Sequence, residues 1–183
     1  MRRLVWSLVV IVALLAILDR VALLSAQHDI AERLQADARL SSAPDVSIHG
    51  YPFLTQLVSG DYDDVDVVMH GLDSDDLRID RLSIHVSGAH VSMGDVLSQD
   101  RSRVHVDHAT AKLLITYADL ATSRAAITRV AVTDGDTIRV TAGDVTGSHT
   151  LTGLPFGIRL TSAKVTQAGI EVSGEAQDLV IRS

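Results

Sequence analysis

The stretch VSIHGYPFLTQLVSGDYDDVDV, Val46 to Val67, changes its hydrophobic period twice and decides how this chain folds. Its first residues alternate between apolar and polar, which predicts a strand. Pro52 suits the first position of a helix, so a short helix is predicted to follow it. The aspartate-rich end returns to alternation and predicts another strand. The segment therefore predicts a sheet that is interrupted by a short helix.

The rest of the chain extends this pattern in both directions. Apolar residues recur every four positions between Asp19 and Leu40, which predicts an amphipathic helix that Pro44 stops. Beyond it the period is two, with a change of phase that indicates a bulge near Asp80-Arg81 and a hairpin at Asp134-Gly135. Further strands are predicted in VHVDHATAKLLI, FGIRLTSAKV, GIEVSG and DLVIR, and one or two helical turns in YADLATS, which follows a capping-box spacing.

These elements predict an α+β fold that is mostly β. An N-terminal helix is expected to pack on a long, curved, mainly antiparallel sheet of about eight strands, because a sheet of that size must hide one face. One helix covers only part of such a face. The remainder is then either folded on itself or open to a ligand.

Composition excludes several classes of protein. The chain has 183 residues, of which 46% are hydrophobic and 21% charged, which indicates a folded protein rather than a disordered one. It contains no cysteine, so disulfides and thiolate chemistry are excluded. The formal net charge of −7 argues against nucleic acid as a partner and gives no general attraction to anionic membranes.

The N-terminus carries the pattern of a targeting segment. Arg2 and Arg3 precede the apolar run LVWSLVVIVALLAIL, Leu4 to Leu18, which as a helix would be about 22 Å long. Asp19-Arg20 then interrupts the apolar residues. Two readings stay open: cleavage near Ala26, or an uncleaved membrane anchor. Both divide the chain into a signal or anchor segment, residues 1–26, and a single exported domain, residues 27–183.

The sequence indicates no enzyme, no cofactor and no metal site. The eight histidines are scattered without metal-ligand spacing, and the many aspartates between 61 and 80 are better explained as solvated turns and strand edges. No nucleophile elbow or phosphate-binding loop is present in the sequence. Catalytic residues are therefore predicted to be none.

The opening segment contains the candidate binding residues. Its apolar side chains would share one side of the short helix, with the tyrosine offering a polar tip at the entrance of a lipid-sized groove. These candidate residues are Tyr51, Pro52, Phe53, Leu54, Leu57 and Val58. The competing interpretation is a helix that merely closes the core.

At these residues the chain resembles the LmeA-like envelope phospholipid-binding proteins of actinobacteria. The resemblance rests on LDRVA (Leu18–Ala22), APDVSIHGYPFLTQLVSGDYDDVDV (Ala43–Val67), ITYADL (Ile115–Leu120), LPFGIRL and GIEVSG, and it spans essentially the whole chain. Tyr51 stands where phenylalanine is more usual. The resemblance implies an exported or membrane-tethered protein that binds phospholipid, in some members supporting lipoglycan assembly, with a relation to tubular lipid-binding folds.

Together these observations predict an envelope protein on the extracytoplasmic side that holds acyl chains in an apolar groove between sheet and helix. Its partners would be phospholipid and the membrane, with no protein partner indicated, and Arg78 or Arg81 is a candidate for a phosphate contact. The alternative is a membrane-tethered scaffold that binds a protein without lipid. An enzyme using Ser148, His149 and Asp144 is a third and more distant possibility.

Overall fold

A computed structural model describes residues 2–37, 40, 42–74, 77–91, 103–119, 127–150 and 158–182. Within these ranges the chain forms two helices and nine strands. The helices are α1 (Arg2–Asp37) and α2 (Phe53–Ser59). The strands are β1 (Asp45–His49), β2 (Asp61–Ser74), β3 (Leu77–Val91), β4 (Arg103–Thr116), β5 (Ile127–Thr133), β6 (Thr137–Ala142), β7 (Val145–Thr150), β8 (Arg159–Val165) and β9 (Gly169–Arg182).

The strands that the structure describes form two antiparallel sheets. The large sheet has the order β1-β2-β3-β4-β9-β8, and the small sheet has the order β5-β6-β7. Long neighbouring strands pair along most of their length, for example from His90–His105 to Arg81–Leu114 between β3 and β4. The predicted fold class, mostly β with an N-terminal helix and a long antiparallel sheet, is confirmed.

The strand predictions are correct in type but differ from the structure in several details. GIEVSG and DLVIR form one strand, β9, whose register with β4 is continuous past Asp178 although that residue has φ 51. β7 was not predicted, since VTGSHT is polar and lacks the alternation of a half-buried strand. The Asp134-Gly135 hairpin is confirmed between β5 and β6, where both residues have positive φ. YADLATS begins with a turn at 117–119, and its last four residues lie outside the described residues.

The predicted change of phase on β3 is present, but no extra residue creates it. Ile79 and Leu82 are both buried although an odd number of positions separates them. The register of β2 and β3 is nevertheless continuous, with Leu72 opposite Ile79 and His70 opposite Arg81. Gly71, with φ 63, lies between those paired positions and allows the faces to exchange. The bulge prediction is therefore wrong.

The main core lies on one face of the large sheet. Leu113, Ile115, Ile170 and Val172 are essentially inaccessible to solvent. Residues of the small sheet, such as Ile138, belong to the same cluster, so the small sheet contributes to covering this face. The prediction assigned part of that cover to the N-terminal helix and left open whether the remainder is folded on itself or open to a ligand.

Helix α1 packs at the edge of the large sheet. Its main contacts are with β1 and α2, where Leu23 joins Ile48 and Phe53 in a second apolar cluster. From Leu4 to Leu18 the apolar side chains of α1 are largely exposed. The helix is therefore held through its middle turns, which brings the short helix α2 beside it.

Candidate functional site

Helix α2 begins at a residue that cannot cap it, and α1 supplies the missing acceptor. Pro52 is the N-cap residue, with an extended backbone and no side-chain hydrogen bond. Instead, the backbone N–H of Leu54 donates to Asp19 Oδ1 at 2.8 Å. Asp19 is only 2% exposed. A carboxylate at this place satisfies one of the free N–H groups of the first turn, and so fixes α2 to α1.

A buried glutamine fixes the other side of α2. Gln56 donates from Nε2 to the His49 carbonyl, and its Oε1 accepts from the Asp63 N–H, both at 3.2 Å. These two bonds join α2 to the end of β1 and the start of β2. Gly50 makes room for this amide, because with φ 101 a Cβ there would collide with the Gln56 side chain.

Phe53 packs inward. It is 1% exposed, it clusters with Leu23 and Ile48, and its ring centroid lies 6.4 Å from that of Tyr62 in a tilted arrangement. Such a ring pair adds a modest stabilisation to the area that Phe53 buries. Phe53 therefore holds α2 against α1 and β1.

The other candidate residues are accessible to different degrees. Tyr51 is 65% exposed, Val58 73% and Leu57 40%. Pro52 is exposed and Leu54 is half-buried. The six residues predicted as a site thus separate into one core residue, Phe53, and five that present an apolar surface along α2.

An apolar crevice of about 320 Å³ opens between α1 and the start of α2. The residues that line it are Val12, Leu15, Ala16, Asp19, Tyr51, Pro52, Leu54 and Thr55. The Arg20 guanidinium lies over the Tyr51 ring, 5.1 Å from its centroid, in a cation–π arrangement at the same place. The crevice therefore combines an aliphatic wall with a cation close by.

Five of the eight lining residues were not among the predicted site residues. Val12, Leu15 and Ala16 were read only as part of an apolar run, which says nothing about what the run contacts. A usable signal was the Asp19-Arg20 pair, because charges that interrupt such a run need partners. Arg78 and Arg81, suggested for a phosphate contact, lie on β3, outside the set of lining residues.

Helix α1 is long and apolar enough to cross a membrane, judged by its length and composition. An N-terminal signal sequence has the same properties. The described turns of α1 before Asp19 are apolar on all sides and largely exposed, which is not typical of a helix that serves a water-soluble core. Either role, signal or anchor, suits the helix.

Comparison with known proteins gives a family. The family described as LmeA-like phospholipid-binding matches residues 17–149. The chain belongs to the LmeA-like phospholipid-binding family. This confirms the predicted resemblance, and the match begins two residues before Asp19 and takes in α2 and most of the large sheet. No curated protein and no solved structure matches the chain.

This LmeA-like protein also carries a polar face on the outside of the large sheet. His49 Nε2 and His85 Nδ1 each lie 2.8 Å from an oxygen of Asp66 and donate to it. Burial acts to raise the pKa of Asp66, but the hydrogen bonds from the two histidines outweigh it and lower that pKa below its ordinary value.

A second histidine–aspartate group lies at the far end of this face. His90 Nδ1 is 2.8 Å from Asp61 Oδ1, and His90 Nε2 is 3.4 Å from Asp107 Oδ2. The hydrogen bonds to Asp61 and then Asp107 raise the pKa of His90. His105 stacks on His90 with ring centroids 6.2 Å apart. Among the described residues, no three such side chains are arranged to hold a metal ion.

Proposed function

We propose that this LmeA-like protein is a cell-envelope phospholipid-binding protein that takes an acyl chain into the crevice between α1 and α2. The family supplies phospholipid as the ligand class. The observation that carries the proposal is the crevice itself, because its aliphatic wall and its place beside an apolar helix suit a hydrocarbon chain. Burial of apolar surface at roughly 25 cal/mol per Å² supplies the affinity.

The size of the crevice limits what it holds. At about 320 Å³ it lies at the lower end of the range for small-molecule sites, roughly 300–1,000 Å³. It therefore encloses part of one chain, and the rest of the lipid stays outside. Arg20, whose side chain is 54% exposed and lies over the Tyr51 ring, is the cation that we assign to the phosphate of a lipid held in this way.

The proposal includes an uncleaved anchor on the extracytoplasmic side. Asp19 and Leu23, which cleavage near Ala26 would remove, hold α2 in place. Arg2 and Arg3 would retain the N-terminus on the cytoplasmic side, so the part of the chain after the span would lie on the extracytoplasmic side. The role proposed is binding without catalysis, in support of envelope lipid or lipoglycan assembly.

A substitution that fills the crevice tests the proposal, and it is compared with a matched substitution elsewhere on the same helix. Ala16→Trp places an indole in the lining, whereas Ala13→Trp adds the same group to an exposed position of α1 that does not line the crevice. The full-length chains would be purified in a mild detergent, offered a phospholipid with a photoreactive acyl chain, and studied by native mass spectrometry.

The proposal expects lipid adducts on the wild type and on Ala13→Trp, with most of them lost from Ala16→Trp. Cross-linked peptides should contain α1 residues 12–16 or the segment 51–55. Adducts that survive Ala16→Trp would move the site elsewhere. A bare protein mass throughout would favour the scaffold that binds a protein partner without lipid.

A further inference from the structure

The outward side of α2 is an apolar surface that continues from the exposed surface of α1. Tyr51, Leu57 and Val58 are exposed on the short helix and its entry, and Leu15 and Leu18 are more than half exposed on the neighbouring helix. A contiguous exposed apolar patch marks an interaction surface. Because one part of it is a candidate membrane span, the chemistry of the partner is that of lipid.

The depth of α2 follows from the length of α1. The apolar run from Leu4 to Leu18 is about 22 Å long, whereas a hydrocarbon core is about 30 Å thick and takes about 20 helical residues. A bilayer that begins at Leu4 would reach to about Leu23. The crevice places Tyr51 and Leu54 beside Leu15, within that depth. Helix α2 thus lies beside the last turns of the span rather than above the membrane.

Asp19 and Arg20 lie within the depth of this span, and the contacts of each charged side chain suit that position. Asp19 is buried and its Oδ1 accepts the Leu54 N–H, so little of its carboxylate is exposed on the outer surface of α1. The Arg20 guanidinium lies over the Tyr51 ring. From this position the long arginine side chain can reach the lipid headgroups. Tyrosine itself is enriched where hydrocarbon meets water. The apolar run of α1, about 22 Å, is shorter than the hydrocarbon core. On the side of α1 that α2 covers, the apolar surface of α2 makes up the difference, so the shorter run is sufficient to cross the membrane.

We propose that α2 is an interfacial helix whose outward face, formed by Tyr51, Leu57 and Val58, rests in the phospholipid leaflet that α1 crosses. The crevice then opens into the leaflet, and an acyl chain enters from the bilayer without passing through water. This inference rests on the proposed membrane anchor and adds the surface that meets the membrane and the direction of lipid entry.

Single cysteines can test this, because the chain has none of its own. Val58→Cys and Leu57→Cys would each carry an environment-sensitive fluorophore in the full chain, reconstituted in phosphatidylcholine vesicles. Val9→Cys, in the span, is the control for a buried probe. Ser148→Cys, exposed on the small sheet, is the control for a probe in water. Vesicles with nitroxide-labelled lipids would report contact with the bilayer by quenching.

The proposal expects probes at Val58 and Leu57 to emit at shorter wavelength than the probe at Ser148, and nitroxide lipids to quench them. Emission like that of the Ser148 probe, with the Val9 probe still shielded, would overturn the interfacial helix and leave the anchor intact. A Val9 probe in water would overturn both. Lipid adducts in native mass spectrometry report on the crevice separately, so neither result is confused with a failure of phospholipid binding.

Discussion

At the scale of single residues, Asp19 changes meaning between sequence and structure. In the sequence it only breaks an apolar run. In the structure its Oδ1 accepts the Leu54 N–H, while its Oδ2, among the described residues, has no hydrogen-bond partner and lies 3.8 Å from Arg20 Nη2. Oδ1 therefore caps α2. Because Oδ2 accepts no hydrogen bond from the described residues, asparagine can replace Asp19 and keep the capping oxygen.

Two substitutions of Asp19 should distinguish the effect of its capping hydrogen bond from the effect of its negative charge. Asp19→Ala removes the acceptor and should destabilise α2 by about 1 kcal/mol, which is roughly fivefold faster amide exchange in the 53–59 peptide. Asp19→Asn keeps an acceptor and should stay close to the wild type, because asparagine and aspartate cap equally well. Hydrogen exchange with mass spectrometry of the full chain would measure both. Equal acceleration in the two variants would show that charge, rather than the cap, holds α2.

His90 should make stability depend on pH. Because its pKa is raised in the folded protein, protonated His90 stabilises the fold below the ordinary histidine pKa of 6.5. That contribution is lost as pH rises through the raised value. Asp61, Asp107 and His105 are the groups that contact it. We expect the midpoint temperature of thermal unfolding to decrease as the pH rises from about 6 to about 8. The decrease should be smaller in His90→Gln.

The control for this pH effect lies on β2. His70 is also an exposed histidine of the large sheet, and His70→Gln should keep the wild-type dependence. An equal flattening in both variants would show that the slope does not originate at the His90 group. Because His90 is 44% exposed, added salt should weaken its effect.

At the scale of elements, α2 shows what the local sequence can and cannot predict. Pro52 and the apolar spacing were enough to predict the helix and its apolar residues. They did not show that Phe53 faces inward while Leu57 and Val58 face outward, because a helix of two turns with apolar residues on most sides has no single buried stripe. Tertiary contacts from α1 and β1 decide the orientation.

This difference between Phe53 and Leu57 can be measured. Phe53→Ala removes a buried ring from the cluster with Leu23 and Ile48, and should destabilise α2 by about 3–5 kcal/mol. Leu57→Ala, on the exposed side of the same helix, should cost less than about 0.5 kcal/mol. Amide exchange of the 53–59 peptide would measure both, and phospholipid retention should be lost with Phe53→Ala. A similar cost for the two variants would contradict the assigned orientation.

At the scale of the whole molecule, the sequence predicted the class of fold better than its packing. Alternation identified the inward-facing residues of β3, because side chains of a strand point alternately to the two sides. It gave no information on which element covers those faces. Ile127 and Ile138 reach the main core from a separate sheet, and that contact depends on chain segments far apart in sequence. For the same reason, the sequence did not show that α1 packs against β1 and α2.

The two apolar clusters make a prediction about cleavage. A chain that begins at Gln27 lacks Asp19, Ala22 and Leu23, so it loses the α1 part of the cluster around Phe53 and keeps every residue of the main core. We expect the truncated chain to retain slow amide exchange in β3, β4 and β9.

In the same truncated chain, α2 should exchange fast, and the newly exposed Ile48 and Phe53 should promote aggregation. Comparison of exchange in full-length and truncated protein would check this. Slow exchange of α2 in both would mean that residues 1–26 are dispensable for holding α2 in place, and would favour a cleaved signal over an anchor. Loss of protection confined to α2 would instead require α1 to remain attached, with lipid binding located where the membrane helix meets the folded domain.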